Sequence, residues 1–193
     1  MNWLLPLRLH PRSGASRPRH WRELWCDQGG QALVEAAILL PILAGLFLGV
    51  SEFSEAFTVN RRLEAAANAS SDLVARVQSV TTADLTGIKA MIDEMMRPYP
   101  TAPLGIVITS VVTDGNNVPQ VDWSYAQGAG VSPRAKGSVP ALPAGITEPN
   151  SSIVVGEVSY EFRSTLSRMI GNFPMHTEAY FRPRASWKVE KLD

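Results

Sequence analysis

Gly30 and Glu35 stand five residues apart at the head of an apolar run, in the order Gly30-Gln31-Ala32-Leu33-Val34-Glu35. Hydrolysis of the bond after Gly30 would give Gln31 a free amine, cationic at neutral pH. The Glu35 carboxylate lies one helical turn further on, and from Ala36 to Val50 no charged side chain follows it. Either charge alone is costly in hydrocarbon, and pairing offsets much of that cost. In helices packed side by side with an axial stagger, the carboxylate of one faces the amine of its neighbour, which fixes the register. The positive end of its own helix also favours Glu35. The competing account has Glu35 snorkelling to the headgroups from near the helix start.

Other constellations are missing. The histidines are His10, His20 and His176, and Cys26 is the lone cysteine. No HExxH, CxxC or two-histidine-plus-carboxylate spacing occurs, so the sequence predicts no metal site and no cofactor. There is no GxSxG elbow and no phosphate-cradling glycine loop, so no catalytic residue and no enzyme is expected. Asp114, Asp122, Glu157 and Glu161 read as solvated strand carboxylates. Asn68-Ala69-Ser70 and Asn150-Ser151-Ser152 match the glycosylation sequon, a pattern too short to carry weight. Net charge is zero, which gives no footprint for nucleic acid.

The element that positions Gly30 and Glu35 is a membrane helix. Residues 31–51 supply about 20 residues, the length needed to cross ~30 Å of hydrocarbon. Before them, residues 1–30 carry Arg8, Arg12, Arg17, Arg19 and Arg22 against Glu23 and Asp27, a net +3. A basic segment next to an apolar helix stays cytoplasmic, which predicts an N-in, C-out single pass with residues 52–193 outside. Residues 1–30 read either as a tail, as an over-long start, or as a leader removed by proteolysis. Ser54 and Ala56 make a small-x-small pair, leaving ordinary signal cleavage as an alternative. Within the span, Gly45 and Gly49 have the GxxxG spacing that lets a second backbone approach, or reflect how common glycine is in such helices. Pro41 removes one helical hydrogen bond, to be met by a kink, by unwinding, or by simple tolerance.

The helix is expected to continue outside to about Val80, some 45 residues in all. Phe53, Phe57, Leu63, Ala67, Val74 and Val77 form its apolar stripe. Thr81-Thr82-Ala83-Asp84 reads as a capping box opening a second helix, with Leu85, Ile88, Met91, Ile92 and Met95 on one face and Pro98 and Pro100 ending it. Beyond Pro103 the pattern is β: Gly105 to Val112, a turn at residues 113–117, then alternating Val121, Trp123 and Tyr125. Residues 126–150 form a long loop dense in glycine and proline. Ser152 to Phe162 is a third strand with Val154, Val158, Tyr160 and Phe162 on one face. Leu166, Met169 and Ile170 suggest a helical turn. Met175 to Val189 alternates Ala179 and Phe181 against Tyr180 and Arg182, with Pro183 marking an edge or a break. The expected fold is α+β: a long N-terminal helix, half transmembrane and half soluble, packed on about four antiparallel strands.

These residues resemble a known family. Gly-x-x-x-x-Glu before an apolar helix and after a basic leader resembles the processing site of type IV pilins and pseudopilins. More narrowly, Gly30 to Ala37, Leu39-Leu40-Pro41-Ile42-Leu43, Gly49-Val50-Ser51-Glu52-Phe53 and Arg61-Arg62-Leu63 resemble the TadE-like family, minor pilins of the bacterial Flp/Tad (tight adherence) pilus. Trp123 to Ala126 and Tyr180 to Arg184 are similar to the soluble part of its longer members. Ala36 follows the glutamate where the major Flp pilin has an aromatic, and the chain is too short for the TadG-type relative.

The resemblance implies a pilin-like fold and cleavage between Gly30 and Gln31 by a prepilin peptidase. It implies anchoring in inner-membrane lipid and partnership with other pilin and pseudopilin subunits of the Tad system. A role in adhesion, colonisation or biofilm formation follows from it alone. The alternative is a single-span envelope protein whose outer domain binds a ligand or another protein.

Overall fold

The computed structural model describes residues 30–164 and 171–193. The leader, with His10, His20 and Cys26, and the helical turn expected at Leu166, Met169 and Ile170 lie outside the described residues. Helix α1 spans Gln31–Ala75, 45 residues, with Pro41 inside it and no interruption there. By contacts the chain divides into residues 1–47 and 48–193. In the first unit Leu33, Ile38, Leu40, Leu43 and Phe47 are all exposed. By length and composition α1 is a candidate membrane span.

In the second unit, strand β1 (Ser79–Val80) leads to helix α2 (Thr82–Met95), then β2 (Leu104–Thr113), β3 (Pro119–Gly128), β4 (Ser152–Arg163), β5 (Asn172–Phe181) and β6 (Glu190–Lys191). Four strands form an antiparallel sheet in the order β3-β2-β4-β5. The architecture is thus α+β, a long N-terminal helix followed by a small antiparallel sheet. Val59, Leu63, Ala66, Ala67 and Val74 of α1 join Leu85 and Ile92 of α2 and Ile106, Ile108, Val154, Val158 and Phe162 of the sheet in one core. Helix and sheet meet closely at Gly156. A Cβ there would overlap Ser71 Oγ and lie 2.8 Å from Ser70 Oγ and 3.1 Å from Ala67 O.

Several expected details change. Phe53 is 75% exposed and Phe57 52%, so neither belongs to the buried stripe, which begins at Val59. Val77 is also exposed, because α1 stops at Ala75 rather than near Val80. Its end is capped by the Arg184 backbone N–H, which donates to Ala75 O at 2.8 Å. The chain then extends so that Ser79–Val80 pairs in parallel with Glu190–Lys191, a two-stranded element the sequence did not suggest. In α2 the capping box is present as expected, but Lys89 is buried on the apolar face and reaches Asp93 at 2.6 Å. Strand β3 runs on to Gly128, which shortens the loop at its start. That loop returns over the sheet, where Leu142 and Ile146 pack on Val111, Ile153 and Val155.

Candidate functional site

Gly30 immediately precedes the first residue of α1. Glu35 stands four residues into that helix, about 6 Å along the axis from Gln31. The first turn holds no acidic residue, so Glu35 is the first carboxylate the helix presents. It is exposed, with no hydrogen bond or ion pair among the described residues. Gly45 and Gly49 are open as well: a Cβ on either would meet nothing within 4 Å. Among the described residues the carboxylate and both glycines are therefore without a partner.

A second polar group lies on the sheet face turned away from α1. Thr113 N–H donates to Ser151 O at 2.8 Å, so the odd-numbered residues of β4 turn their backbone groups toward β2. Glu157 and its β5 partner Glu178 consequently face each other as a non-hydrogen-bonded pair, the closer kind, with Cα atoms about 4.5 Å apart. Arg134, from the loop, donates from Nε (3.0 Å) and Nη2 (2.6 Å) to Glu157 Oε1. Glu178 accepts from the Tyr180 hydroxyl and lies 3.0 Å from His176 Nε2. The Tyr180 hydrogen bond, with help from His176 and Arg134, holds the Glu178 carboxyl below its usual range. Burial and the neighbouring Glu178 push the Tyr180 phenol well above its usual range.

The sequence treated Glu157 as a solvated strand carboxylate, whereas it is 8% exposed. The other three carboxylates of that set have ordinary roles. Asp114 accepts from the N–H groups of Asn116 and Val118 in the hairpin turn. Asp122 pairs with Lys188 at 3.0 Å, and Glu161 accepts from Asn172 at 2.7 Å. A cleft of about 430 Å³ is lined by Glu55, Tyr99, Tyr160, Glu161 and Arg163, a set without a nucleophile and its base. Its Tyr160 hydroxyl donates to Pro100 O at 3.0 Å.

No curated protein and no solved structure matches the chain. From Gly30 through α1 to Asp72, however, residues 30–72 match the family model described as TadE-like protein, so this stretch is similar to that family.

Proposed function

We propose that this chain is a membrane-anchored minor pilin or pseudopilin of a Flp/Tad-type pilus, matured by prepilin-peptidase cleavage between Gly30 and Gln31. The observation that carries this reading is the coincidence of three boundaries. The TadE-like match starts at residue 30, α1 starts at Gln31, and the apolar run with its single carboxylate, Glu35, starts there too. Cleavage at that point removes the arginine-rich leader and leaves an amine at the head of a candidate membrane helix. The helix stays in the inner membrane with its N-terminus at the cytoplasmic side, and residues 52–193 lie outside. Gln31 and Glu35 then set the stagger between neighbouring subunits, while the Gly45 and Gly49 face admits a neighbouring helix.

N-terminal sequencing and intact mass of the protein isolated from membranes test this directly. The expected first residue is Gln31. A mature chain that keeps Met1, or one that begins after Ala56, rejects it.

A further inference from the structure

Glu157 and Glu178 are directly opposed across β4 and β5, and like charges in that relation destabilise a sheet. The sheet tolerates them because the loop lays a cation against them: the Arg134 guanidinium, doubly bonded to Glu157. His176 lies two residues before Glu178, on the same face. One ring nitrogen of His176 and one carboxylate oxygen each of Glu157 and Glu178 fall within 4.8 Å of one another. Two of them are closer still, with His176 Nε2 and Glu178 Oε1 at 3.0 Å. A tetrahedral centre with bonds of about 2.0–2.1 Å holds its ligands about 3.3 Å apart. His176 and Glu178 already approach that bite, and a Glu157 carboxylate oxygen lies within 4.8 Å of both, held there by Arg134.

We propose that Glu157, His176 and Glu178 form a site for a divalent transition metal of the zinc class, and that Arg134 competes with the metal for Glu157. One imidazole with two carboxylates suits zinc, whereas calcium and magnesium prefer all-oxygen sets. Three protein ligands leave a position open to water. Binding frees Arg134, so the loop is then held by its other anchors, Leu142 and Ile146 on the sheet and the Glu148–Arg182 ion pair at 2.8 Å.

The test uses the full chain in detergent micelles with His10→Asn, His20→Asn and Cys26→Ser, which leaves His176 as its lone imidazole and removes the thiol. Cobalt(II) absorption and its displacement by zinc report binding. The expected result is one zinc per chain, weakened by about tenfold or more in both His176→Ala and Glu178→Gln. The His176 and Glu178 side chains are 52% and 36% exposed, so these variants should keep the fold, which circular dichroism verifies. Zinc binding equally well to the parent and to either variant overturns the site. Arg134→Ala should bind zinc more tightly than the parent; unchanged or weaker binding overturns the competition.

Discussion

The Asp193 carboxylate caps α2 from 111 residues away: its Oδ1 accepts from the Thr82 backbone N–H at 2.8 Å and from the Thr82 hydroxyl at 3.0 Å. The first N–H groups of a helix have no partner inside it, and its N-terminus favours negative charge. Asp84 serves the same end from within, accepting from the Thr81 hydroxyl at 2.7 Å and the Thr81 N–H at 2.9 Å. Two carboxylates thus hold one helix start, and Asp193 also fixes β6 beside β1.

Both carboxyls lie below their usual value of 3.8, Asp193 chiefly through the Thr82 backbone hydrogen bond and Asp84 through the Thr81 hydroxyl. A folded-state pKa below the unfolded one adds stability above the unfolded value, and that stability is lost as pH falls through the folded one. Asp193→Ala should therefore lower Tm at neutral pH. The gap to the parent should close as pH drops below 3.8. Thermal melts across that range check it; a gap that persists in acid counts against the cap.

Gly156 lets α1 lie close on the sheet, since an added Cβ would overlap Ser71 Oγ. Gly156→Ala should destabilise the α+β domain by about 1–3 kcal/mol through overpacking. Adding Ser71→Ala removes the blocking oxygen and should restore part of the loss. Urea unfolding of the single and double variants measures both. A double variant no more stable than Gly156→Ala would place the strain elsewhere.

Arg62 ties α1 to the end of α2, donating to Met95 O at 2.8 Å and Arg97 O at 2.6 Å, with its guanidinium 5.6 Å from the centre of the Tyr99 ring. Cations favour the carbonyl-rich end of a helix. Arg62→Met keeps the aliphatic stem and removes the donors, and should cost about 1–2 kcal/mol in the same unfolding assay. No measurable change would show that water replaces the guanidinium freely.

These contacts show where sequence patterns inform and where they stop. That α1 continues past the apolar run was legible because glycine and proline are absent from Ser51 to Val80, though that same absence hid its end at Ala75. The capping box was legible because Thr81 and Asp84 are neighbours along the chain. The stripe was misread at its start because Phe53 and Phe57 continue the apolar pattern of the first half of α1, while burial begins only at Val59. A two-residue pair such as β1 with β6 has no period to detect. Glu157 meets His176 and Glu178 only through strand register, and the one local sign was the His176-Thr177-Glu178 alternation. Arg134 sits in a loop with no pattern at all.

Gly45 and Gly49 separate folding from assembly. In Gly45→Leu or Gly49→Leu the added Cβ meets nothing within 4 Å among the described residues, so unfolding of the α+β domain should not change. Where the two glycines admit a neighbouring helix, the same substitution should reduce crosslinking between membrane-embedded copies or with other pilin-like subunits. Undiminished crosslinking in both variants would show that the face does not pack.

Glu35 carries the most specific consequence. Its carboxylate has no partner among the described residues, and cleavage after Gly30 would place an amine one turn away on the same helix. If α1 spans the bilayer, an unpaired carboxylate there is costly, and on the proposed pilin reading the amine of a staggered neighbour would offset that cost. Glu35→Ala should therefore leave processing largely intact while reducing incorporation into assembled pilus material. Immunoblots separate the two effects: mature-size protein in the membrane fraction, with less of it in sheared filaments or in co-purified subunit complexes. Incorporation at the level of the parent would remove the charge pairing and leave Glu35 as a headgroup contact.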